Sequence, residues 1–213
     1  MRDPRPVALL LTFACSSAYY SVWEKLGKEK RDLLISHISR ARDQQKETSE
    51  TFKDALTRLQ EAYGKSGSEL EKAYERLKDR TERSDKSAKE LRSRIARADK
   101  TAGDLFAEWE SEIGSLNSED FKRRSREKLE RTRSKYSVLS RSMHDAEKRI
   151  EPVLSQLHDY TTFLKHNLNA QSLGELQKEK ISIERDTARL IKEMQEAIDE
   201  AGNFLQTMER DEA

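Results

Sequence analysis

Along most of this chain apolar residues recur in alternating steps of four and three, the spacing that lines one face of an α-helix. Leu70, Tyr74, Leu77, Thr81, Ser84, Ala88, Leu91, Ile95, Ala98, Ala102 and Leu105 keep that rhythm without a fault. Trp109, Ile113 and Leu116 continue it after one four-residue stutter, which unwinds a supercoil locally. A second unbroken series runs through Leu129, Thr132, Tyr136, Leu139, Met143, Ala146, Ile150, Val153, Leu157, Tyr160 and Leu164. Weaker series pass through Leu34, His37, Ala41, Gln44, Thr48, Phe52, Ala55, Leu59 and Ala62, and through Leu176, Ile183, Leu190, Met194, Ile198, Ala201, Leu205 and Met208. No window alternates with period two, so strands are not expected.

Breakers and caps divide the pattern into four predicted helices, over about 18–63, 68–113, 118–168 and 172–208. Gly64 suits the left-handed position that ends a helix. Ser68-Glu69-Leu70-Glu71 and Ser172-Leu173-Gly174-Glu175 read as capping boxes, and Glu119 and Asp120 favour the positive end of a helix dipole. Pro152 lacks a backbone donor, yet the seam continues in phase across it. A kink within one helix is therefore expected, the alternative being a break with a fifth, shorter helix. Helices this long joined by short connections predict an all-α fold, an elongated antiparallel coiled-coil bundle of three to four long helices filling residues 15–213. Its seam is rich in Ala, Ser and Thr, so each layer buries little, and such a seam can close on itself or form a homo-oligomer.

Charge changes this picture little. The chain carries 41 Lys and Arg against 40 Asp and Glu, so no global field draws it to nucleic acid or anionic lipid. Locally the balance is uneven. Phe121 to Arg149 holds eleven basic and four acidic residues, and residues 169–213 hold eleven acidic and six basic. Lys122, Arg123, Arg124 and Arg126 head the basic run and are candidates for an anionic-partner patch. The plainer reading is neutralisation, with the acidic end of the fourth helix lying along the basic start of the third. The four histidines, His37, His144, His158 and His166, form neither H-E-x-x-H nor a Glu-x-x-His pair, so no metal site is expected. No nucleophile elbow and no phosphate-binding glycine loop is present, and no catalytic residue or cofactor is assigned.

The N-terminus is different in character. Val7 to Ala14 is a short apolar run, flanked by Arg2 and Arg5 and followed at once by Cys15, the single cysteine of the chain. That order reads as a lipoprotein-type signal peptide over residues 1–14, with Cys15 as the acylated residue. Asp3 and the brevity of the run are untypical of such signals; the alternative is a cytoplasmic protein with an incidental cysteine. Tyr19, Tyr20 and Trp23 follow closely enough to lie at headgroup depth, or else to pack the end of the bundle.

The segment Cys15-Ser16-Ser17-Ala18-Tyr19-Tyr20, with Glu24-Lys25-Leu26-Gly27, Lys30-Arg31-Asp32 and Ala41-Arg42-Asp43-Gln44-Gln45, resembles the opening of the bacterial domain-of-unknown-function family numbered 2959. The resemblance implies a Gram-negative, lipoprotein-like helical protein and supplies no activity. Ser16, in place of the aspartate associated with inner-membrane retention, points by analogy to the periplasmic face of the outer membrane. Together these readings predict a non-enzymatic, lipid-anchored helical scaffold, spacer or partner-binding rod. It would touch the membrane through its anchor and meet an envelope protein not identifiable from sequence. The alternative is a membrane-remodelling or stress-response bundle that binds anionic lipid through the basic helix face.

Overall fold

Long runs of Ala, Leu, Glu, Lys and Arg, with few glycines to interrupt them, favour helix over every other local structure. The computed structural model describes residues 14–167 and 176–210, and side chains from residue 29 onward. Four helices result: α1 (Ala14–Ala62), α2 (Gly67–Ser115), α3 (Glu119–His166) and α4 (Gln177–Arg210). No strand occurs among the described residues. A helix of 49 residues, the size of α1 and α2, is about 74 Å long at 1.5 Å per residue.

The α1–α2 turn is made by two left-handed glycines, Gly64 (φ 79°) and Gly67 (φ 56°), conformations that a side chain would strain. Gly64 acts as the predicted terminator. The capping box expected at Ser68 does not form. Helix α2 starts one residue earlier, behind Ser66, whose extended backbone occupies the N-cap while its side chain makes no capping bond. At α3 the cap is Ser118, whose side chain accepts a hydrogen bond from the Phe121 amide at 3.4 Å. The second predicted capping box, at Ser172–Glu175, lies outside the described residues.

Helix α3 runs through Pro152 without interruption, which removes the fifth-helix alternative. Pro152 is solvent-exposed, so the carbonyl that loses its partner lies on the wet side, while Ile150, Val153 and Leu157 keep the core face intact.

The helices form a ring in which α1 packs on α2 and α4, and α3 packs on α2 and α4, with no close backbone approach across the diagonals among the described residues. Each neighbouring pair is antiparallel, as cross-helix partners show: His37 with Thr101, Asp54 with Arg80, Arg149 with Glu193, Gln60 with Glu184. Helices α1 and α2 approach most closely along their length, because both seams carry small residues, among them Ala41, Thr48, Ala55, Ser84, Ala88 and Ala98.

All the predicted seam positions of α2 from Leu70 to Leu105, and of α3 from Leu129 to Leu164, are buried. Two adjustments arise elsewhere. On α1 Ile38 and Gln45 are also buried and predicted His37 is only half-buried, while Gln44 is buried as predicted and turned toward α2. On α4 the seam gains Thr187, Ala197 and Phe204. Every helix faces two neighbours, so its buried face is wider than a two-position coiled-coil stripe.

Candidate functional site

A cluster of titratable side chains bridges α2 and α3. Helix spacing builds it: Tyr136, Ser140, His144 and Glu147 repeat at steps of four and three along one face of α3. Arg92 and Asp99 stand two turns apart on α2. The Asp99 carboxylate gathers three groups: Tyr136 Oη donates to Oδ1 at 2.8 Å, Ser140 Oγ donates to Oδ1 at 2.9 Å, and His144 Nε2 lies 2.8 Å from Oδ2. The other ring nitrogen, Nδ1, lies 3.1 Å from Glu147 Oε2. Arg92 reaches Glu147 at 3.3 Å and Glu151 at 2.9 Å.

Electrostatics follow the geometry. Burial raises the Tyr136 phenol far above the ordinary tyrosine value, and the negative Asp99 beside it adds to the rise. Burial pulls His144 down, but hydrogen bonds and charge from Asp99 and Glu147 outweigh it, so the net shift is upward. The carboxylates sit on the two opposite nitrogens of one ring and do not converge on a common point. Among the described residues no group of three His, Cys, Asp or Glu is arranged to hold a metal ion.

The cluster forms one side of an open α2–α3 groove that Ala102, Gly103, Phe106, Arg141 and Lys148 also line. Phe106, Tyr136 and Phe204 stack edge-to-face across α2, α3 and α4, with centroids 5.8 and 5.7 Å apart. Arg133 lies over Phe106 at 5.6 Å. The sequence reading missed this cluster. His144 and Glu147 do present a His-x-x-Glu spacing, the reverse of the order sought, but the part played by Asp99 depends on the α2–α3 register.

His37 packs against α2. Thr101 Oγ1 donates to the Arg97 carbonyl at 3.0 Å, so its proton is committed and His37 Nδ1 donates to it across 2.9 Å. Burial, followed by the charges of Arg40 and Arg97, lowers the His37 pKa.

The basic run occupies the exposed start of α3, and its neutralisation is divided: Arg149 pairs with Glu193 of α4, as the plainer reading expects, while the first residues of the run pair elsewhere. Lys135 meets Thr207 of α4 at 3.3 Å, and α4 as described ends three residues later at Arg210, short of Arg126. Its first residues find partners on α3 itself: Lys122 with Glu119, Arg123 with Asp120 and Glu127, Arg124 with Asp120. Arg133 reaches Glu110 of α2 at 3.6 Å. Arg126 is exposed and pairs with none of the described residues, and Phe121 beside the run is 61% exposed.

Cys15, Tyr19, Tyr20 and Trp23 fall in the first turns of α1, and their side chains lie outside the described residues. Among those described, no helix is long and apolar enough to cross a membrane.

No curated protein matches the chain, and no solved structure does. The family described as "Protein of unknown function (DUF2959)" matches residues 19–208, and the chain belongs to that family.

Proposed function

We propose that this protein is a non-enzymatic, lipid-anchored rod of the bacterial envelope, acylated on Cys15 and held at the periplasmic face of the outer membrane. The observation that supports the reading is that Cys15 lies within α1, described over Ala14–Ala62, so the residue that would carry the acyl chains is itself part of the long helix. An acyl anchor there leaves almost no flexible tether, so membrane attachment and rod form one continuous element. Because α1 is antiparallel to α2, that attachment emerges at the end where α2 turns into α3. Two acyl chains on the cysteine thioether satisfy the two-signal requirement for stable anchoring. The opposite end, with the Gly64 turn, then stands away from the bilayer and is where an envelope partner would be met. Feeding cells a clickable fatty acid tests this. Wild type labels and Cys15→Ala does not; equal labelling of the two sinks the reading.

A second reading, docking of the basic helix face on anionic lipid, is favoured by exposed Phe121 beside exposed Arg126, which pairs with none of the described residues. Against it, Glu119, Asp120 and Glu127 already neutralise much of the run. Vesicles of mixed neutral and anionic lipid distinguish the two. If the face docks, the protein lacking its anchor binds them at low salt and Arg126→Glu abolishes binding; if it does not, both ignore them.

A further inference from the structure

Both nitrogens of the His144 ring lie at hydrogen-bond distance from carboxylate oxygens, Asp99 Oδ2 at 2.8 Å and Glu147 Oε2 at 3.1 Å. An ionised carboxylate only accepts hydrogen bonds, and a neutral imidazole has one N–H. With a neutral ring, one of the two contacts would set a nitrogen lone pair against a carboxylate lone pair. The arrangement is satisfied at both ends by the doubly protonated ring. We propose that Asp99, His144 and Glu147 form a proton-dependent clasp: the His144 imidazolium, backed by Glu147, ties α3 to Asp99 of α2, and loss of its proton loosens the α2–α3 seam.

The surroundings reinforce this reading. Without the imidazolium, Asp99 keeps only the neutral hydroxyls of Tyr136 and Ser140. Glu147 keeps Arg92 of α2, which is shared with Glu151. The other charged groups lining the groove are Arg133, Arg141, Asp145 and Lys148, all on α3. Arg133 is engaged with Glu130 and Glu110, and Lys148 with Asp145. Among the described residues none of α1 or α4 lines the groove, and the backbones of α1 and α3 do not approach each other. Glu147 therefore keeps a cation, whereas Asp99 is ion-paired with none of the described residues other than His144.

The sign follows from linkage. A histidine held in its charged form in the fold has a raised pKa, so its stabilisation is complete below the unfolded value near 6.5 and is lost as pH rises through the folded value. Across that window the local opening constant rises by up to about tenfold per pH unit. The experiment is nitrogen-detected titration of the imidazoles in the full chain, paired with amide hydrogen exchange over residues 92–106 and 136–151. Comparing wild type with His144→Arg at each pH cancels the intrinsic pH dependence of exchange. The expected result is a His144 midpoint above 6.5, with wild-type protection falling relative to His144→Arg as pH rises through it. His144→Gln, which carries no charge, should be open at every pH. A His144 midpoint at or below 6.5 overturns the clasp, as does a protection ratio between wild type and His144→Arg that ignores pH.

Discussion

Arg31 donates from Nη2 to the main-chain oxygen of Met208 at 2.7 Å, fastening the described end of α4 to α1. The last carbonyls of a helix have no partner within it and carry the negative end of its dipole, so a guanidinium there satisfies both needs. Arg31→Met should cost about 1–3 kcal/mol, the range for a hydrogen bond to a charged group. Chemical denaturation measures the loss. Amide exchange should show it concentrated in residues 204–210.

Gln45 is the opposite case. Its side chain is fully buried at a core place of α1, and neither Nε2 nor Oε1 has a hydrogen-bond partner among the described residues. Gln44, its neighbour, does have one, donating to Ser87 Oγ at 3.1 Å. An unsatisfied buried amide costs on the order of 1–3 kcal/mol. Gln45→Leu, close in volume, should stabilise the bundle by about that amount, raising the denaturant midpoint with an unchanged slope.

His37 and His144 should give opposite pH dependences. The His37 pKa is lowered, so its stabilisation is full above the unfolded value near 6.5 and is lost as pH falls through the folded value. For His144 the shift is upward and the loss comes on the alkaline side. Thermal midpoints measured from pH 5 to pH 8.5 should therefore show wild type losing ground to His37→Gln on acidification, and to His144→Gln on alkalinisation.

Tyr136 has two separable roles. Tyr136→Phe keeps the edge-to-face stack with Phe106 and Phe204 and loses only the bond to Asp99, a loss of about 1–2 kcal/mol. Tyr136→Ala also empties a core position and should cost about 3–5 kcal/mol, as for other large aromatic truncations. Equal losses for the two would mean that the ring contributes nothing beyond its hydroxyl.

The fold was legible where the core places hold apolar or small residues in strict rhythm, as from Leu70 to Leu105 and from Leu129 to Leu164. On α1 the series through Gln44 meets a buried residue, but it passes over Gln45, a polar residue in a core place, and takes half-buried His37 where Ile38 is buried. Thr187 on α4, a polar residue in a core place, is absent from a series whose members Ile183 and Leu190 are buried. The basic run was visible as composition, but its partners were not, because they depend on how far α4 extends along α3. The Asp99–His144 contact is longer-range still. It joins residues 45 apart, and only the α2–α3 turn and the register it imposes bring them together.

The lipid anchor at Cys15 is tested most directly by the intact mass of the native protein, extracted in detergent from envelopes of its own host. A chain beginning at Cys15, heavier than its residues by a diacylglyceryl group and a further acyl chain, is the predicted result. An unmodified chain that retains Met1 would contradict it.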